Sequence, residues 1–447
     1  MTQNYSQRVN WMRLFRGLGV TKSGFKLGMF DVVMLVISLV IGMGIFRTPA
    51  TVALRSGDPT LFYLAWITGG VFALAGALTF AEVGRRMPVT GAYYRVFAHA
   101  YHPVIAFAVN TIILASNAAS AAGVAIIGAE YIASGLPGID TSITATGMIV
   151  ALYGLNMLGL RASTKVQNVL IGVKVLMLAC IIAALAYVEP ATQTLASRVV
   201  HTQGPWESFG LALIAVSFTF GGYQSTINFG GEIKDSTRTM PLAIMIGVAL
   251  ITAIYLLANM AYVHVLGFDT LANSSSIAAL VVEKMFGPQG AVILSTVLVI
   301  SVFGYVNVAM LSNPRVINAM SEDGVLPKGL AGKTSANGVQ QGSLIAFTAL
   351  SVLSVYLGES FETILNYTIF IDAIGLAVGA AAIYRLGSER IKLRNHIAAA
   401  IFIGSCAFTS LNIFMFDTNA AIMGVLFFAG IIGIGMIMLR NGRKATS

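Results

Sequence analysis

Apolar runs of about 20 residues, enough helix to cross a hydrocarbon core roughly 30 Å thick, recur along almost the whole chain. They fall near residues 29–53, 59–83, 103–133, 141–159, 166–188, 208–232, 241–265, 288–312, 341–357, 361–384, 397–415 and 420–439. Charged or turn-forming residues separate them, so the pattern predicts an all-α integral membrane protein with twelve transmembrane helices. Two of the runs are interrupted at their centres, by Gly42-Met43-Gly44 in the first and by Gly221-Gly222 in the sixth.

Inside hydrocarbon, a backbone N–H or C=O without a partner costs several kcal/mol, so a helix breaks there only where the freed groups face protein, water or a bound solute. From Asp31 to Gly42 the helix rises about 16 Å and from Ser208 to Gly221 about 20 Å, which puts both breaks near mid-bilayer. Small residues in membrane helices usually serve close packing, and for most of the 46 glycines that reading suffices. Each of these two breaks is expected to be followed by a polar or charged half-helix, Arg47-Thr48-Pro49 after the first and Gln224-Ser225-Thr226 with Asn228 after the second, which a packing glycine does not require. Paired interruptions in corresponding spans of two repeats point to a midplane substrate site.

The first and sixth spans begin on opposite sides, so spans 1–5 and 6–10 are expected to form an inverted five-plus-five repeat. The domain reading is a cytoplasmic N-terminal segment (1–27), a first repeat (28–188), a second (204–385), helices 11 and 12 (397–439) and a cytoplasmic tail (440–447).

Composition agrees: 57% of the 447 residues are hydrophobic, 10% are charged and the mean hydropathy is +0.82. The net charge of +9 raises the question of nucleic acid, but its distribution answers it. With the N-terminus inside, 22 of the 27 lysines and arginines fall on the inner side, all except Arg47, Arg55, Lys174, Arg198 and Lys284. The positive-inside rule then places both termini in the cytoplasm of a multi-pass cell or inner membrane protein, and the basic balance meets anionic lipid rather than nucleic acid. Residues 1–27 have no separate hydrophobic core of a cleavable signal, so the first span is expected to act as the insertion signal. Within them Trp11, Leu14, Phe15 and Leu18 share one helical face, as in an interfacial anchor. The two cysteines, Cys180 and Cys406, both fall in spans, so no disulfide-linked partner subunit is expected.

Six strings carry a family resemblance: VIGMGIFRTP (40–49), AEVGRRMPVTGAYYRVF (81–97), NMLGLRASTKVQNVLIGVKVL (156–176), FTFGGYQSTINFGGEIKDSTRTMPLAI (218–244), NPRVINAMSEDGVLP (313–327) and LNYTIFID (365–372). In register across spans 1–10, they resemble the amino acid–polyamine–organocation superfamily, and within it the L-type amino acid transporters and their bacterial relatives. The resemblance implies a leucine-transporter fold with unwound first and sixth helices that bind an amino acid. Backbone N–H groups at Gly42, Met43 and Gly44, with Ile45 beginning the next half-helix, would take the substrate carboxylate. Carbonyls near Ile41 and Phe218 would take the ammonium. Phe218 would close over the side chain as an aromatic gate, and Phe220, Gly221, Gly222 and Tyr223 would complete the substrate-binding set.

The residues support that implication independently, since a zwitterion needs donors and acceptors a few ångströms apart and a broken helix supplies both without a charged side chain. A charged substrate would want a countercharge in the pocket, and neither break has one on its inner flank. Neutral L-amino acids are therefore expected, with cationic amino acids or polyamines as the alternative. A sensor or receptor built on the same fold is a further alternative.

Lys174 lies about 13 Å into the fifth span, where an ammonium costs at least ~2.5 kcal/mol. Its side chain cannot easily reach the interface, so it is expected to be paired or functional. In the resemblance it matches a lysine that fills the place of a sodium ion in sodium-coupled members, holding helix 1 against helix 8 near Ser301. Sodium-independent transport follows as the expectation. Lys174 either exchanges a proton during transport, making a proton-coupled symporter, or stays charged in an amino acid exchanger.

Asn117, Ser120, Asn307 and Asn366 suit interhelical hydrogen bonds, and Asp372, eleven residues into a span, must be protonated, paired or water-facing. Tyr93 and Tyr94 look like interfacial aromatics. Glu82, Arg85, Arg86, Glu232, Lys234, Asp235 and Arg238 fall at the inner rim, where alternating access needs contacts that form and break. There is no HExxH, GxSxG or Walker A string and no histidine pair at metal-ligand spacing. Enzymatic chemistry, cofactors and metals are not expected.

Overall fold

The computed structural model describes residues 26–135, 138–191, 204–274, 277–331, 335, 337–357, 361–387, 389–416 and 418–444. The amphipathic segment at residues 11–18 lies outside the described residues. The helices are α1 (Met29–Val40), α2 (Gly44–Ser56), α3 (Pro59–Arg86), α4 (Ala92–Ala100), α5 (Pro103–Gly135), α6 (Thr141–Met157), α7 (Leu160–Tyr187), α8 (Pro205–Thr219), α9 (Ser236–Leu266), α10 (Phe268–Ala272), α11 (Ile277–Phe286), α12 (Gly290–Glu322), α13 (Gln341–Leu357), α14 (Phe361–Ala381), α15 (Leu393–Phe416) and α16 (Thr418–Lys444). Among the described residues β-structure amounts to isolated bridges, including Leu27 with Ile233 and Thr90 with Phe229.

Six of these helices, α3, α5, α7, α9, α12 and α15, are long and apolar enough to cross a bilayer on their own. α1 and α2, bent 43° at their junction, make a seventh span if taken together. The protein is thus a multi-pass helical membrane protein. Large side chains such as Leu158, Val169, Leu176 and Leu411 remain exposed on its flanks, as a lipid-facing surface requires.

Local chemistry sets the helix ends. The Gly28 N–H donates to the Asp31 carboxylate at 3.1 Å, and the same side chain accepts from Asn168 on α7 at 3.0 Å, tying the start of α1 to its neighbour. Gly57, at φ 58°, stops α2 in a conformation that suits glycine. Asp58 then caps α3, accepting from the N–H groups of Thr60 and Leu61 at 2.8 and 3.1 Å, with Pro59 in the first turn where its missing N–H costs nothing.

α3 packs along α9, α5 along α12, α2 against α8, and α1 against α9 and α7. Three features depart from the sequence expectation. The eighth span runs on to Glu322 rather than ending near residue 312. Short helices α4, α10 and α11 occupy what the hydropathy pattern left as connections. Tyr93 and Tyr94, expected at the interface, are instead buried at 5% and 1% exposure because α4 packs against α5 and Tyr93 stacks on Phe80.

Candidate functional site

Ile41, Gly42 and Met43 lie outside the helices between α1 and α2, with Ile41 turning out of helical conformation at ψ 88°. The second interruption is longer. α8 stops at Thr219, Gly222 turns at φ 118°, and residues Tyr223–Asn228 and Gly230–Glu232 form 3₁₀ turns before α9 begins at Ser236. No α-helical half follows this break, because Gly222, Gly230 and Gly231 favour tight turns and the Gln224 side chain captures the Gly222 N–H at 2.9 Å.

A cavity of about 260 Å³ lies between these two breaks. Its wall includes Gly42, Met43 and Gly44 from the first break and Phe220, Gly221, Gly222 and Tyr223 from the second. The volume lies below the ~300–1,000 Å³ typical of drug-sized sites and suits a single small solute. Ile41 and Ile45 are fully buried behind the wall rather than in it. The Phe218 side chain lies outside the described residues, as does that of Asn366.

Further wall residues come from helices that the breaks alone did not indicate. Ser116, Asn117 and Ser120 of α5, Tyr93 of α4, Tyr305, Ser312 and Asn313 of α12, Asp372 of α14 and Cys406 and Thr409 of α15 all reach the cavity. Asn117 donates to Asn313 at 2.7 Å and Ser116 to Asp372 at 3.3 Å. The only signal available in the sequence was polarity in mid-span, which does not tell which way a side chain faces. The countercharge missing from the flanks of the breaks is therefore present elsewhere in the wall, as Asp372.

An aromatic group closes one side of the cavity. Phe220 lies 5.1 Å from Tyr255 and 6.1 Å from Trp66 between ring centroids, in tilted and edge-on arrangements. The Tyr255 hydroxyl sits 3.3 Å from the Val40 carbonyl oxygen and 3.4 Å from that of Thr219. The Val40 carbonyl also accepts from the Gly42 N–H at 2.8 Å, so that N–H, expected to meet a substrate carboxylate, is engaged within the first break, and the Tyr255 hydroxyl lies within reach of both helix ends.

Lys174 is fully buried on α7 and donates to the Ile41 carbonyl at 3.1 Å. That carbonyl, one of those expected to hold a substrate ammonium, is thus engaged by the protein's own amine. The expected contact with Ser301 is not formed: the Ser301 hydroxyl is buried without a hydrogen-bond partner, and Lys174 packs instead against Gly304, one turn along α12. Beside it runs a chain of amides. Asn156 donates to Asn307 at 2.8 Å, Asn307 to the Gln167 carbonyl at 2.6 Å, and Gln167 to the Gly304 carbonyl at 2.9 Å.

Below the cavity, at the end carrying Lys26, the molecule is closed. Arg315 grips both carboxylate oxygens of the buried Glu232 at 2.7–3.0 Å, and its guanidinium lies 4.3 Å from the centre of the Phe229 ring. Arg315 also donates to the Leu311 carbonyl. Arg95 pairs with Glu322 nearby, where burial pushes the Asp323 carboxyl up against the opposing pull of Arg95. Glu82 accepts from Arg85 and Arg86, and Arg85 reaches on to Glu389, holding that exposed carboxyl below the usual carboxylate range. Glu232 and the Glu82 group were expected at this rim, whereas Arg315, Arg95 and Glu322 were not singled out.

Two interrupted spans around one small, partly polar cavity, closed beneath by ion pairs, define the class of membrane solute carriers. The chain belongs to the amino acid permease family, whose model matches residues 27–438. It is 31% identical over 314 residues to the serine/threonine exchanger of Bacillus subtilis, covering 68% of this chain and 69% of that protein. It is 27% identical to the large neutral amino acids transporter small subunit 2 of Rattus norvegicus, over 80% of this chain and 69% of the relative. A b(0,+)-type amino acid transporter of Mus musculus is 23% identical, over 85% and 79%. These relatives are amino acid transporters rather than enzymes, and the chain is a transporter of that kind.

Proposed function

We propose that the chain moves neutral L-amino acids across the membrane by alternating access, as a sodium-independent exchanger. The carrying observation is that residues 42–44 and 220–222 line the same cavity. In this reading Gly42, Met43 and Gly44 take the carboxylate with the dipole of α2 behind them, and free carbonyls beside the second break take the ammonium. The fold is read as twelve spans with two inverted five-helix repeats, 28–188 and 204–385, and both termini in the cytoplasm. The Glu232–Arg315 closure then lies on the cytoplasmic side of the cavity. The exchange activity printed for the Bacillus subtilis relative supports the mode, and the neutral substrates in the name of the rat relative support the class.

The family resemblance would put Lys174 where sodium-coupled members hold an ion, and its bond to the Ile41 carbonyl at the end of α1 supports independence from sodium. The two cysteines lie within α7 and α15, which supports action without a disulfide-linked partner. A second reading, carriage of a cationic amino acid, is favoured by one observation, the Asp372 carboxylate in the cavity wall.

Counterflow in proteoliposomes tests both. Vesicles loaded with unlabelled L-serine, L-leucine, L-arginine or L-glutamate are diluted into radiolabelled L-serine, L-leucine or L-arginine, with sodium or choline as the external cation. Accumulation that requires an internal neutral amino acid and is unaffected by choline is expected. Counterflow only with internal and external L-arginine would replace the neutral reading with the cationic one. No counterflow with any of them would overturn the transport reading.

A further inference from the structure

We propose that Asp372 binds a proton together with the neutral amino acid, so that the occupied cavity carries one more positive charge than the amino acid alone. The inference rests on the transport reading and concerns the same cavity. Asp372 stands eleven residues into α14, about 16 Å along the helix. Among the described residues of the wall it is the one carboxylate, and no lysine, arginine or histidine joins it. Lys174, the buried amine of α7, is not part of the wall and donates to Ile41.

The groups that face Asp372 are uncharged. Ser116 of α5 donates to it at 3.3 Å, a long bond for a hydroxyl and a carboxylate. Tyr93 of α4, Tyr223 of the second break, Tyr305 of α12 and Cys406 of α15 are the other titratable side chains of the wall, and Tyr305 is itself hydrogen-bonded to Ser120. From α3 and α5 only uncharged side chains reach the cavity, and no described residue of α16 lines it.

A carboxylate at this depth, with one weak donor and no countercharge, is costly as an ion. Its partial exposure opens onto the cavity, so the compensating positive charge arrives by the same route as the substrate. A zwitterion brings no net charge. Calcium takes six to eight oxygens at 2.3–2.6 Å, and no group of three or more His, Cys, Asp or Glu side chains that could hold a metal occurs among the described residues. A proton requires a single oxygen. Water on the open side gives the proton to the carboxylate, and water on the opposite side takes it back after the cavity turns over, leaving Asp372 ready for the next cycle.

The test measures protons taken up on binding, with purified protein and L-serine, or L-leucine if serine gives no counterflow. Calorimetric titrations in two buffers of different ionisation enthalpy, repeated from pH 5 to pH 8, give the number directly. Wild type is expected to take up close to one proton at the alkaline end and to lose affinity about tenfold per pH unit there. Asp372→Asn is expected to take up none and to show a flat pH profile, whatever its absolute affinity. Ser116→Ala, which removes only the neighbouring hydroxyl, is expected to move the midpoint of the profile, and it keeps the proposal testable if Asp372→Asn does not fold. Wild-type binding without proton uptake at any of these pH values overturns the proposal, as does the same pH profile in Asp372→Asn. Binding of L-arginine that is proton-free in wild type and absent in Asp372→Asn also overturns it, giving Asp372 to a substrate ammonium instead. Counterflow in wild type with none of these proton signatures leaves the transport reading standing, whereas absent counterflow removes that reading itself.

Discussion

Gly222 and Leu39 meet backbone to backbone, and a Cβ placed on Gly222 would overlap the Leu39 carbonyl oxygen. The two interruptions are thus in direct contact, at a residue whose φ of 118° already excludes most side chains. Gly222→Ala combines backbone strain of order 1–3 kcal/mol with that overlap. A lowered unfolding temperature in detergent and loss of counterflow are expected, and a wild-type melting curve would show that the contact yields freely.

Lys174→Met keeps most of the side-chain volume and removes the donor to Ile41. The freed carbonyl is left unpaired at a cost of about 1–3 kcal/mol, offset by the removal of a buried charge. The variant is expected to elute as a folded, monodisperse protein whose counterflow falls at least tenfold. Wild-type rates would deny Lys174 its role in holding the end of α1.

Breaking the Glu232–Arg315 pair from one side leaves a charge buried alone, which costs about 3–5 kcal/mol. Arg315→Gln is therefore expected to destabilise strongly. Combining it with Glu232→Gln is expected to restore much of the loss. Thermal unfolding of the two single variants and the double variant measures the coupling, and additive effects would place the stability in the Arg315 contacts with Leu311 and Phe229 instead.

Asn307 joins Asn156 to Gln167 in a fully buried chain. Asn307→Leu leaves one N–H of the Asn156 amide and the side-chain oxygen of Gln167 unpaired, while Asn156 keeps its bond to Leu152 and Gln167 its bond to Gly304, and each unpaired group costs about 1–3 kcal/mol. A lower midpoint of unfolding is expected, and replacing Asn156 as well should add less than its effect alone.

The breaks and the buried amine were legible in the sequence because each violates a rule the surrounding residues obey. Glycine pairs interrupt otherwise unbroken apolar runs, and an ammonium sits where hydrocarbon should be. The residues that complete the cavity violated nothing visible. Ser116, Asn313 and Asp372 are polar in mid-span, and only the rotation of α5, α12 and α14 decides whether they face each other, the lipid or a cavity. Arg315 was hidden for a different reason: it looked like a charge beyond the end of a span, whereas α12 continues past it to Glu322 and carries it into the core. Tyr93 was misread as interfacial because a helix as short as α4 has no hydropathy signature of its own.

At the closed end, the Leu27 N–H donates to the Glu232 carbonyl and the Lys234 N–H to the Leu27 carbonyl, at 2.9 and 3.0 Å. This part of the latch is written in main chain, so no exchange of side chains can erase it. Even a protein stripped of its rim charges would still have to peel apart a small ladder before its lower mouth could open.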